Sequence, residues 1–289
     1  MRRKILKFIL YLCGIFCIAY PIYSKFLSFK SQTEIISNYN KEIESMDKEI
    51  LEDKQKKAEE FNDENASEVK VVNPKEVNVN DEESSYSFLE LGEMIGVINI
   101  PKINLNLPIY EGITSNNLTK GVAHMENTSL PNGDLNTHSI LAGHTGISQA
   151  EIFDNLNELE IDDEFYISFY GNTTKYKVIE EKIVLPDDTS SLKVEDNRCL
   201  LTLVTCTPKT VNTHRLLVTG EKVEKENETQ EEVFTNINEL EEKDEKSDFK
   251  LFIEFIKKNK SVLILVLIVI FILIVLSIIS KLKRRKKEK

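Results

Sequence analysis

The chain has 289 residues and a net charge of −11, with 48 acidic against 37 basic residues. Its length suits one or two domains. The basic residues gather at the two ends, so the middle is more acidic than the total, which argues against nucleic acid as a partner.

The first element is an apolar run from Ile5 to Tyr23 behind Met1-Arg2-Arg3-Lys4. A basic start followed by apolar residues fits a cleaved signal peptide as well as an anchor. No small-x-small cleavage site follows Tyr20-Pro21, and Lys7 near a helix end can snorkel, so an uncleaved anchor is favoured. A second apolar run, Val262 to Ile279, carries no charge and is followed by Lys281-Leu282-Lys283-Arg284-Arg285-Lys286-Lys287. An 18-residue helix is about 27 Å long, close to the roughly 30 Å hydrocarbon core. Two transmembrane helices in contact with membrane lipid are therefore expected. The basic outer flanks put both termini in the cytoplasm and the intervening chain outside. Lys257, Lys258 and Lys260 run against that rule but are outnumbered by the C-terminal run.

Residues Ser31 to Asp63 are predicted to be helical, with Ile36, Ile43, Met46 and Ile50 near one face. This reads as a stalk or as a helix leaning on the main domain. Asn62 to Ser87 is acidic and poor in pattern, the composition of a linker or loop. From Met94 the texture changes to short β-rich runs: Ile95–Ile100, Leu107–Tyr110, Ser139–Ala142, Glu164–Tyr170, Thr174–Ile179, Leu200–Thr205 and Leu216–Thr219. Pro108 marks an edge or a strand start. Gly171-Asn172 signals a hairpin. A short helix over Ala150 to Leu159 interrupts the series. Such spacing fits a closed barrel or a sandwich, and a barrel over Gly92 to Glu224 is preferred. The expected organisation is an N-terminal anchor over 1–30, a helical stalk and linker over 31–91, the barrel over 92–224, an acidic tether over 225–260, a transmembrane helix over 261–280 and a basic tail over 281–289.

Cys13 and Cys17 lie in the first apolar run, which leaves Cys199 and Cys206 for the middle. On one strand, seven residues separate the two by roughly 23 Å, beyond the ~7 Å Cα limit for a disulfide. The odd spacing points them to opposite faces. Cys206 ends the run Leu200–Thr205, since Pro208 cannot continue a central strand. If the next strand returns antiparallel, centred pairing sets Cys206 opposite Arg215, with Cβ atoms about 4.5–5.5 Å apart. A guanidinium there can hold a carbonyl, stabilise an oxyanion and favour the thiolate. On position alone, an inert buried cysteine is the favoured reading of Cys206, and a surface ion pair is the alternative for Arg215. A thiol nucleophile needs an acid/base partner. The histidines are His124, His138, His144 and His214, and His144 stands at a strand end between Gly143 and Gly146. With no HxxxH pair and no CxxC, no metal is expected, and no GxGxxG or P-loop points to a cofactor.

The stretch Gly92 to Glu221 resembles the sortase family. The resemblance rests on Thr205-Cys206 followed within ten residues by Arg215, and on Ala142-Gly143-His144-Thr145 about sixty residues upstream. The runs Ile100–Ile103, Leu107–Tyr110, His124–Pro131, Asn136–Ser139, Leu201–Pro208 and Asn212–Val218 are similar to the pilus-assembling, class C branch. The resemblance implies a mainly β, sortase-type closed β-barrel with short helices, an N-terminal helical segment and two flanking transmembrane helices. It implies a cysteine transpeptidase that cleaves an LPxTG-like sorting signal. Cys206 would be the nucleophile, His144 the general acid/base and Arg215 the carbonyl holder. The implied partners are surface or pilin proteins bearing the signal and an amine acceptor, either a pilin lysine or a peptidoglycan cross-bridge precursor. Class C members often carry an Asp-Pro-aromatic lid. The matching stretch, Asn62 to Glu90, has no such triplet; Asn73-Pro74-Lys75 comes nearest, so an open site is expected.

The competing readings are a sortase that anchors surface proteins to peptidoglycan, a plain cysteine hydrolase, and a non-catalytic surface binding module. The hydrolase is told apart by a free-acid product, the binding module by an unreactive thiol.

Overall fold

The computed structural model describes residues 2–65, 88–146, 152–223, 253 and 264. The chain divides into two compact units, Met1–Phe29 with Lys243–Lys289, and Lys30–Glu242. Among the described residues no helix is long and apolar enough to cross a membrane. This overturns the two transmembrane helices and leaves the two-span placement without support. The first helix, α1 (Arg2–Ser45), does not stop with the apolar run at Tyr23. It is 44 residues long and includes Pro21, and past Tyr23 it mixes Ser, Lys, Gln and Glu with apolar residues, the composition of a helix packed on one side against protein. Apart from Ile264, the run Val262 to Ile279 lies outside the described residues, as do the acidic tether apart from Ile253 and most of the linker and lid stretch.

The second unit is built on a closed barrel. Its strands are β1 (Met94–Ile100), β2 (Leu105–Glu111), β3 (Val122–His124), β4 (Thr137–Ala142), β5 (Glu164–Phe169), β6 (Asn172–Val184), β7 (Cys199–Thr207) and β8 (His214–Lys222), in the order β1-β2-β3-β4-β7-β8-β6-β5. β5 alternates half-buried and buried residues, the mark of a strand with one face on the core. β4 and β7 are buried almost throughout and run parallel to each other; burial on both faces gives β7 a largely apolar run, whereas β4 opens with the buried polar residues Thr137, His138 and Ser139. β3 is only three residues long, too short to give a period, and sequence patterning did not find it or the helix α3 (Ser115–Lys120) before it.

Pro108 is not on an outer edge. It pairs with Val97 of β1, while β3 on the other side begins only level with Ile109. The proline thus stands where β2 has a single neighbour, which tolerates its missing N–H. The β5–β6 turn is Tyr170-Gly171, one residue before the expected pair, since Phe169 still pairs with Asn172. Both turn residues have positive φ, 41° and 79°, as a two-residue type I′ connection requires. Where a helix was expected over Ala150 to Leu159, the described residues form turns and a short 3₁₀ segment, Leu156–Glu158.

The helical region is two helices rather than one. α1 ends at Ser45 and α2 (Lys48–Asn65) follows. The break shifts the helical phase: Ile36, Tyr39 and Ile43 are buried in the main core, whereas Ile50 is 51% exposed and Leu51 packs inward instead. Tyr39 donates to the Ile95 carbonyl at 3.0 Å. Asn62 of α2 is buried and bonds both backbone groups of Leu130, accepting from its N–H at 2.8 Å and donating to its carbonyl at 3.1 Å. Lys54 bridges to Glu93 at 2.7 Å and lies 4.6 Å from the centre of the Tyr170 ring. These helical segments are docked on the barrel by buried contacts. Beyond the undescribed stretch, Leu89 is buried and Phe88 packs against the same core.

Candidate active site

β7 and β8 place two of the three residues. Their antiparallel register pairs Thr207 with His214 and Cys206 directly with Arg215, the centred pairing that the loop length implied. Side-chain parity separates the cysteines. Cys199 is buried in the main core, within 3.5 Å of the Thr137 hydroxyl and 3.6 Å of the Tyr176 hydroxyl, and burial pushes its thiol pKa up. Cys206, an odd seven residues on, is half-buried and free. Val204, on the same face two residues earlier, belongs to a second apolar cluster with Met125, Ile140, Leu192 and Leu217. Leu217 stands in the same relation to Arg215. An apolar floor therefore leads up to the Cys206–Arg215 pair.

Arg215 donates from Nη1 to the carbonyls of Asn212, at 3.3 Å, and His214, at 3.1 Å. Both bonds use one nitrogen, and no carboxylate bridges to it among the described residues. The guanidinium is held by backbone carbonyls of the β7–β8 connection, with donors left for a ligand.

β4 brings up His144. In the parallel β4–β7 ladder Ala142 is level with Val204. Beyond the strand the contact continues: the Gly143 N–H donates to the Val204 carbonyl at 3.0 Å, and the Thr205 hydroxyl donates to the Gly143 carbonyl at 2.7 Å. Carried two residues further, the same register sets His144 level with Cys206. A side chain at position 143 has no room, because a Cβ there would lie 2.5 Å from Phe153 and 2.8 Å from Ile152. The Phe153 N–H donates to the His144 carbonyl at 2.9 Å. Partial burial lowers the His144 pKa, which favours the neutral imidazole near pH 7.

The other histidines have structural partners. His124 is fully buried, with Nδ1 2.9 Å from Glu111 and Nε2 2.9 Å from the Ser129 carbonyl. His138 is fixed between the Lys193 carbonyl and the Thr202 hydroxyl, each at 2.7 Å, and burial lowers its pKa. His214 lies at the start of β8 with Nδ1 2.9 Å from the Thr213 hydroxyl. Sequence reasoning missed Asp154 and Lys209, which meet at 3.9 Å beside this site; an aspartate in a turn and a lysine in a loop carry no signal of a tertiary contact.

Cys206, Arg215 and the segment that bears His144 thus lie at the ends of three strands that are neighbours in the barrel. A thiol, an imidazole and a guanidinium are groups that acyl transfer can use as nucleophile, proton carrier and holder of the carbonyl oxygen.

The Sortase domain family matches residues 98–223. Sortase D of Bacillus subtilis is 38% identical over 120 residues, 41% of this chain and 57% of that protein. The chain thus spans just over half of that relative's length. Among solved structures, a Clostridium perfringens sortase C with the C-terminal cell wall sorting motif is 35% identical, covering 67% of this chain and all of that one, with a TM-score of 0.59. The pilus-related sortase C of Group B Streptococcus is 36% identical, covering 65% of this chain and 96% of that one, with a TM-score of 0.58. The chain belongs to the sortase family, a family of cysteine transpeptidases.

Proposed function

We propose that Cys206, His144 and Arg215 carry out sortase transpeptidation and that the product is a pilin polymer. The observation that supports the roles best is the direct Cys206–Arg215 pair beside the β4 end that bears His144. His144 takes the proton of the Cys206 thiol, and the thiolate so formed attacks the threonine carbonyl of an LPxTG-like signal. Arg215 donates to the carbonyl oxygen as its negative charge grows. The C–N bond to glycine breaks as His144 gives its proton to the leaving amine, which leaves a thioester on Cys206. An incoming amine attacks the thioester, His144 takes the amine proton, and the thiolate leaves. The apolar floor of Val204 and Leu217 suits the leucine and proline of such a signal.

Members of the family act at the cell surface. The polymerising role is supported by neighbours that are sortase C proteins, one of them pilus-related. The acceptor decides it. The full chain is incubated with a sorting peptide and, in separate arms, a lysine-bearing pilin fragment and a peptidoglycan cross-bridge peptide. An isopeptide to the lysine in preference to the cross-bridge amine is expected. Transfer to the cross-bridge alone would assign anchoring, and a free acid in every arm would assign hydrolysis.

A further inference from the structure

Ile152, Phe153 and Asp154 form a clip on the segment that carries His144. The first two are buried and fill the space beside Gly143. The Phe153 N–H holds the His144 carbonyl. Asp154 Oδ1 accepts from the Gly146 N–H at 3.0 Å and from the Thr145 hydroxyl at 3.5 Å, so its two bonds fall on the two residues that follow His144. The same oxygen lies 3.9 Å from Lys209 Nζ, and Lys209 belongs to the connection between Cys206 and Arg215. Thr210 of that connection is also the neighbour of Gly146, its nitrogen 3.5 Å from where a Cβ would stand.

Packing alone does not account for an aspartate here. Among the described residues Asp154 Oδ2 is buried without a hydrogen-bond partner. Such an oxygen loses its hydration with nothing in return, a cost that an apolar side chain would avoid. What Oδ1 provides is a hydrogen-bonded hold on the loop that follows β4 and bears His144, where that loop lies beside the one that joins Cys206 to Arg215. Proton transfer needs heavy atoms about 2.6–3.2 Å apart, and a displacement of about 1 Å costs on the order of 100-fold in rate.

The structure assigns Asp154 as a positioning residue that holds the His144 segment in register with the Cys206–Arg215 connection. The assignment rests on the roles given to those three residues above. It differs from a general stabilising role in what it predicts. An asparagine keeps an oxygen that can accept from the Gly146 N–H, whereas an alanine does not.

The test compares the full-length chain with its Asp154→Ala and Asp154→Asn variants in two measurements. Turnover of an LPxTG-type peptide is expected to fall roughly 10- to 100-fold in Asp154→Ala through kcat, with KM changed less than about threefold, and to be largely restored in Asp154→Asn. Hydrogen exchange at residues 143–146 is expected to quicken in the alanine variant and to stay near wild type in the asparagine variant. Alanine turnover within about twofold of wild type, or an asparagine variant as impaired as alanine, would overturn the assignment. If the wild-type chain turns over no sorting peptide, the functional reading fails on its own. The exchange measurement still decides the clip, because unchanged exchange in Asp154→Ala overturns it.

Discussion

Cys206 and Arg215 stand directly opposite each other across the β7–β8 ladder, with the whole connection from Pro208 to Thr213 closing the loop between them. The strand pairing therefore fixes how far the guanidinium can stray from the thiol, whatever the loop does. Arg215→Lys keeps the charge but loses the planar fork, which here holds two loop carbonyls from one nitrogen and leaves the others for a substrate. We expect a loss of about 100-fold or more in kcat/KM for a sorting peptide, in the range found when an oxyanion donor is removed. Steady-state kinetics with the folded variant check this, and near-normal turnover would make Arg215 a bystander.

His144→Ala is expected to slow thioester formation and transfer by roughly 10²- to 10⁴-fold, the usual contribution of a positioned acid/base. His124→Ala and His138→Ala should act differently. Each strips partners from buried groups and should cost about 1–3 kcal/mol of stability, with activity falling only as folded protein is lost. Thermal unfolding measured beside turnover separates the two behaviours. A folded His138→Ala variant less active than His144→Ala would make His138, not His144, the acid/base.

Cys199→Ala should leave acyl transfer nearly intact. Its sulfur is turned into the core, against Tyr176 and Thr137, so the expected effect is a stability loss of about 1 kcal/mol from the small cavity. A thiol-specific reagent applied to the native chain should label Cys206 well before Cys199, read by peptide mass spectrometry. Burial favours the neutral thiol of Cys199, and the neutral form is the unreactive one.

Much of this site was legible in sequence because it rests on short-range rules. Pro208 ends β7, the loop length sets the Cys206–Arg215 register, and the odd spacing of the cysteines sends one into the core. Other features depended on tertiary context. The phase break after Ser45 turned Ile50 outward, though it fitted the helical face on periodicity alone. β3 was too short to show a period. The transmembrane expectation weighed the apolar run before Tyr23 by itself, whereas α1 runs on unbroken into a charged half. Asp154 gave no signal at all, since its partners come from loops that only the folded barrel brings together.

His138 gives the fold a dependence on pH. Its Nδ1 faces a carbonyl and must donate, so Nε2 accepts from the Thr202 hydroxyl in the neutral ring. Burial lowers its pKa from the ordinary value of 6.5. The unfolded chain then binds more protons than the folded one between the two values. The stability that His138 contributes is full above about 6.5 and is lost as pH falls through that value towards the lower folded one. Midpoints of urea unfolding between pH 7.5 and about 5 should fall with acid, and His138→Gln should flatten part of that slope. An unchanged slope in the variant would place the dependence elsewhere.

The central claim is that Cys206 carries the acyl group. The full chain is mixed with an LPxTG-type peptide without amine, quenched in acid, and its intact mass and proteolytic peptides are measured. The account predicts an adduct of the peptide truncated after threonine on the fragment bearing Cys206. The adduct should be lost on adding amine as the amide product appears, and be absent in Cys206→Ala. An adduct that persists in Cys206→Ala, or one mapped to Cys199, would contradict it.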